Sequence, residues 1–207
     1  MRFTLYYDGP LPSAANDPRI KDKHDIRKRL NPQLLQLFRD HPALPKAKLW
    51  NQTWGPWPQW GWMNWADPWS EDKAVVKIDD LHFVPLVRES LNLVCELDIL
   101  FLRPGEPGLM ERGARYDIDN RLLTLFDALA IPPEGAACNF AIDDQTISRN
   151  DPFFCLLGDD SRITALNVRT DRLLAPADNA KADHIRLIVG VTLKASVTTF
   201  ANIGLTS

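Results

Sequence analysis

All seven tryptophans of this 207-residue chain fall between residues 50 and 69, at Trp50, Trp54, Trp57, Trp60, Trp62, Trp65 and Trp69. Pro56, Pro58 and Pro68 share the segment with Gly55 and Gly61. Proline fixes φ and removes a backbone donor, so no long helix or strand can run through it. The regular elements must be built from the chain on either side of this segment. Residues 43–80 therefore read as a Trp/Pro-rich insertion in a single domain spanning 1–207, a length that can bury a core without staples. Packing of the indoles on the domain or across an interface is the favoured reading, because seven exposed indoles would be an aggregation hazard.

Outside the insertion, residues 2–7 read as a strand, ended by Pro10, Pro12, Asn16 and Pro18. Residues 22–40 read as helical, with Ile26, Leu30, Leu34 or Leu35, and Leu37 or Phe38 at helical spacing. Pro32 suggests a break there, with Asn31 capping a second helix. Short strands are expected at 74–78 and 82–88, and the clearest one at 91–102. Arg103-Pro104-Gly105 and Pro107-Gly108 end that strand. A helix over 120–130 presents Leu122, Leu123, Phe126, Leu129 and Ala130, and Pro132-Pro133 stops it. Strands are expected at 153–157, 162–169 and 184–195. This order predicts an α+β fold, a mixed or antiparallel sheet with helices packed on it.

No apolar run reaches the length of a membrane span. The N-terminal stretch Met1 to Asp8 is too short and polar for a signal peptide, so a cytoplasmic protein is expected. Cys95, Cys138 and Cys155 are odd in number and lack CxxC spacing, which argues against a disulfide framework and a zinc site and favours buried thiols. The four histidines are scattered. Net charge is −3, but residues 1–50 carry ten Lys/Arg against five Asp/Glu. Such a basic region could hold phosphates near a carboxylate site, although a solvated helix face explains Lys21, Lys23, Arg27, Lys28 and Arg29 as well.

The chemically informative stretch is Arg115-Tyr116-Asp117-Ile118-Asp119-Asn120, leading into a helix. Two aspartates two apart in extended chain point the same way and repel unless a cation neutralises them. Mg²⁺ suits such a pair, since it takes hard oxygen ligands and leaves room for water and phosphate. Asp119 or Asn120 could equally be an N-cap. A second pair, Asp143-Asp144, comes after the helix, where a turn is the plain alternative.

Taken in order, these segments resemble the RusA-type Holliday junction resolvases. The matching features are the strand 91–102, Arg112 and Arg115, Asp117-Ile118-Asp119-Asn120, Asp127-Ala128-Leu129 and Asp143-Asp144-Gln145. The Phe3-Thr4-Leu5 strand and its Pro-rich turn also fit. The good match covers about 60 of the 207 residues. The resemblance implies a homodimer that cuts branched DNA, with Asp117, Asp119 and Asp144 as catalytic carboxylates holding Mg²⁺ or Mn²⁺. The ion would activate a water and offset charge on the phosphate. Arg112, Arg115, Arg121, Lys21 and Lys23 would be DNA or phosphate contacts, and Asn120 and Asp143 supporting groups. The competing reading of the Trp-rich segment is that one or two indoles of 50–69 stack on unpaired or exposed bases at a DNA branch point.

Two features depart from the family. Its catalytic lysine, four residues after the second aspartate, is Leu123 here. Arg121 sits roughly 200° around the helix from that position. The linker from Leu129 to Asp143 is longer, which a surface loop absorbs. Besides a magnesium-dependent endonuclease, the sequence admits a weakened DNA-binding or regulatory protein, or an interaction protein using its Trp-rich segment.

Overall fold

The computed structural model describes residues 1–13, 20–44, 74–79, 81–104, 118–135, 152–174, 184–199 and 201–206. Within them lie strands β1 (Arg2–Pro10), β2 (Val76–Ile78), β3 (Leu81–Val87), β4 (Leu93–Arg103), β5 (Phe153–Leu157), β6 (Ile163–Arg172) and β7 (His184–Ala195). The helices are α1 (Ile20–Asp40), α2 (Ile118–Leu129) and the short α3 (Ile203–Thr206). The fold is α+β, with two mixed sheets and three helices packed on them. The Trp-rich segment 50–69 lies outside the described residues.

The first sheet has the order β1-β7-β4-β6. β7 is antiparallel to both β1 and β4, whereas β6 runs parallel to β4. Strict alternation in the sequence sets its two faces. Leu93, Cys95, Leu97, Ile99 and Phe101 of β4 point into the core, as do Ile185, Leu187, Val189, Val191 and Leu193 of β7. The alternation of β7 holds along most of its length.

The second sheet has the order β2-β3-β5. β5 is the unbroken apolar run Phe-Phe-Cys-Leu-Leu, and all five of its residues are buried. That is the mark of a strand covered on both faces. One face (Val84, Leu86, Phe154 and Leu156) joins the main core with α1 and α2. The other face gathers Ile78, Leu81, Phe83, Phe153 and Cys155 in a satellite cluster. Cys95 and Cys155 are free, buried thiols, and burial pushes both up to about 12. Cys138 lies outside the described residues.

The expected break at Pro32 does not occur: α1 runs unbroken through it. An interior proline costs a helix about 3 kcal/mol. Ile26 and Leu30 before it, and Leu34 and Phe38 after it, are all buried. At roughly 1.5–3 kcal/mol each, they outweigh that cost. Asn31 is therefore not a cap. Its Oδ1 accepts the backbone N–H of Phe154 at 2.8 Å and so ties α1 to β5.

Arg27, 3% exposed, fixes the two long helices together. Its guanidinium donates to the carbonyl of Ala130 at 2.8 Å and to that of Asp127. These are C-terminal carbonyls of α2, where a cation also meets the negative end of the helix dipole. Burial pulls the pKa of Arg27 down, and the charge of Asp127 works against that shift.

Candidate functional site

β1, β4 and β6 all run the same way, so Pro10, Arg103 and Arg172 end together where β7 begins at His184. The guanidinium of Arg121 donates to the carbonyl of Leu11, just past β1. This bond brings the first turn of α2 to the same end of the sheet. In the sequence, Arg112, Arg115 and Asp117 fall between β4 and α2. These three residues, with Asp143 and Asp144, lie outside the described residues.

Asp119 is exposed in the first turn of α2. The helix begins at Ile118, so Asp119 and Asn120 are helical residues rather than caps or extended chain. The period-two pairing of Asp117 with Asp119 is corrected accordingly, because Asp119 follows the helical period. The carbonyl of Asn120 accepts from the Thr124 hydroxyl at 3.3 Å. Leu123 is 53% exposed. It stands one turn after Asp119, on the same side of the helix. Arg121 points instead to Leu11, so it ties the helix to the sheet and does not fill the position of Leu123.

Lys21 is exposed at the start of α1. Lys23 is engaged by the Asp127 carboxylate at 2.7 Å. That ion pair gives the Asp-Ala-Leu motif a structural use: Asp127 joins α2 to α1 while Ala128 and Leu129 are buried.

Sequence reasoning missed two groups at this end. Asp8 on β1 meets three side chains of the solvent face. Arg186 Nε donates to its Oδ2 at 2.8 Å and the Tyr6 hydroxyl to the same oxygen at 3.0 Å. His184 Nε2 lies within hydrogen-bond distance of Oδ1. Burial raises the Asp8 carboxyl, but the bonds from His184, Arg186 and Tyr6 outweigh it and hold the group below its ordinary value. The register that pairs Asp8 with Arg186 and Pro10 with His184 assembles the cluster, and no local motif announces it. The second group is Arg103 and Arg172, partners in register at the ends of β4 and β6. Two arginines thus stand side by side on neighbouring strands at this rim.

A cavity of about 480 Å³ opens at the other end of α2, lined among others by Lys77, Asp127, Pro132, Glu134 and Asp159. Among the described residues no three His, Cys, Asp or Glu side chains gather to hold a metal ion. No helix among them is long and apolar enough to cross a membrane. Comparison with protein-family models, with curated proteins and with solved structures yields no significant match.

Proposed function

We propose that the chain is a magnesium-dependent, structure-selective DNA endonuclease of the RusA-like kind, acting on four-way junctions. The observation that carries this reading is the position of Asp119. It is an exposed carboxylate in the first turn of α2, at the end of the sheet where Arg103, Arg121 and Arg172 also lie. A hard oxygen donor open to solvent fits Mg²⁺. Asp119, with Asp117 and Asp144, would hold the ion, which when bound supplies Lewis-acid activation of water. On this reading, basic side chains at this end would contact the phosphate backbone, the salt-dependent part of nucleic-acid affinity.

The test is cleavage of a labelled synthetic four-way junction with and without magnesium, beside Asp119→Asn. The exposed site predicts a folded variant. Loss of an electrostatic group that acts on the transition state lowers the rate on the order of 10²–10³-fold. Magnesium-dependent cutting that survives in Asp119→Asn refutes the site.

The exposed Leu123 favours a second reading, a junction binder with little hydrolysis. A neutral side chain stands where the family has its lysine, one turn from Asp119. That reading predicts salt-sensitive junction binding without turnover.

A further inference from the structure

The cavity of about 480 Å³ lies beside the second sheet, at the end of α2 away from Asp119. Its volume is that of a ligand cleft. Its two walls come from opposite sides of the sheet, whose order is β2-β3-β5. Val76 and Ile78 of β2 belong to one wall, and residues 130–134 with the turn 158–160 form the other. The second wall is tied to β5, since Ala130 bridges Leu157 and the Ile131 N–H donates to the Leu157 carbonyl at 3.0 Å. The cleft is also long. Val76 lies opposite Phe83 near the start of β3, whereas the Gly158 N–H donates to the carbonyl of Val87 at its end. Four residues of strand separate Phe83 from Val87, roughly 13 Å, which is also the length of about four residues of extended chain.

The two walls differ in chemistry. Val76, Ile78 and Ile131 belong to the satellite apolar cluster, and Pro132 in the same lining is buried. Lys77 points to the other face of the sheet, because side chains alternate along β2. The wall on the β5 side is acidic, with Asp127, Glu134, Asp159 and Asp160. Asp127 is already held by Lys23. Asp159 accepts the Ser161 N–H at 2.9 Å, and that bond holds its carboxyl below the ordinary value. It is therefore fixed in place and ionised at neutral pH. Glu134 and Asp160 are exposed, and among the described residues neither makes a hydrogen bond or ion pair. An apolar wall thus stands across the cleft from carboxylates that no basic side chain of the lining opposes.

We infer that the cleft docks an extended basic segment of a partner protein, about four residues long, in which apolar residues alternate with lysine or arginine. Successive side chains of an extended chain point to opposite sides. One set then packs on Val76, Ile78 and Ile131, and the other reaches Glu134, Asp159 and Asp160. Burial of the apolar set supplies affinity. Charge complementarity supplies selectivity and speeds encounter. The inference stands apart from the endonuclease reading, and its test involves no DNA.

The test is fluorescence anisotropy of a labelled peptide, Arg-Val-Arg-Val-Arg-Val, titrated with the intact chain. Saturable binding that weakens as salt rises is expected. The block peptide Arg-Arg-Arg-Val-Val-Val carries the same charge without the alternation, and should bind at least about tenfold more weakly. Glu134→Gln with Asp160→Asn alters two exposed, unpaired groups, so an unchanged thermal transition is expected. Together they should weaken binding of the alternating peptide roughly tenfold. Asp40→Asn, a charge change on α1, should leave binding as it was. Absence of binding overturns the inference. So does equal binding of the two peptides, which would make the contact one of charge alone, or a double variant that behaves like Asp40→Asn. Complete displacement of the peptide by spermidine at equal concentration would also overturn it, since the cleft would then take a small linear cation and not a peptide.

Discussion

Gln33 fills the place of a strand beside Tyr6. Its side-chain Oε1 accepts the Tyr6 N–H at 2.8 Å, and its Nε2 donates to the Tyr6 carbonyl at 2.7 Å. One amide thus closes both hydrogen bonds that the free edge of β1 would offer at that residue. Arg29, a turn earlier on α1, donates to the Asp8 carbonyl and lies over the Tyr7 ring. This approach requires Gly9, where an added Cβ would come within 2.6 Å of the Arg29 guanidinium. The two edges of the sheet are therefore unlike. β1 is closed by helix side chains, whereas among the described residues no strand pairs with the outer edge of β6.

Gln33→Ala should reopen the β1 edge at Tyr6. Two exposed hydrogen bonds are lost, each worth about 0.5–1.5 kcal/mol. A total loss near 1 kcal/mol is expected, together with faster aggregation, because an unpaired edge is exposed. Urea denaturation and light scattering on heating check it. An unchanged midpoint would mean that water replaces the amide without cost.

Much of the architecture is legible in the sequence, because most strands carry their own period. β5 and β7 match their expected spans residue for residue, and β4 and α2 lie within two residues of theirs. Pro32 misled because helix propensity is local, whereas the burial of Leu34 and Phe38 that carries α1 onward is tertiary. The sheet is mixed because β6 lies parallel to β4, and no local pattern distinguishes a parallel edge from an antiparallel one. At the candidate site, Asp119 is legible as an acid near a helix start, but not as a residue inside the first turn. The Asp8 cluster is not, because its members lie 176 and 178 residues apart and meet only through the pairing of β1 with β7.

Arg27→Met keeps much of the aliphatic stem and removes the donors to Asp127 and Ala130. The part-buried carbonyls at the end of α2 then lose these donors. Each unsatisfied group costs about 1–3 kcal/mol, so a loss of roughly 2–4 kcal/mol is expected. The denaturation midpoint should fall with an unchanged slope. A variant as stable as the parent would show that water reaches these carbonyls.

The Asp8 cluster predicts a pH dependence. A carboxyl whose folded pKa is depressed adds stability above its unfolded value, about 3.9. That stability is lost as pH falls through the lower, folded value. Asp8→Asn should therefore be less stable than the parent at neutral pH, and the difference should shrink below about pH 4. Urea titrations at a series of pH values measure this. A difference that stays constant down to strong acid would show that packing, not charge, is what Asp8 contributes.

Leu123 offers a gain-of-function test. Its side chain is 53% exposed, one turn after Asp119, so a lysine fits there without disturbing the core. As an i,i+4 partner of Asp119 it would change stability by only about 0.3–0.5 kcal/mol. Its effect on chemistry should be larger. On the proposed endonuclease reading, a cation beside Asp119 would stabilise charge developing on a phosphate held there, and groups in that role are worth on the order of 10²-fold in rate. Leu123→Lys should therefore raise the rate of junction cleavage at saturating magnesium, and Leu123→Gln should not. Equal rates for all three proteins would place position 123 away from the scissile phosphate. A rise seen with lysine and abolished by adding Asp119→Asn would place both side chains at one site.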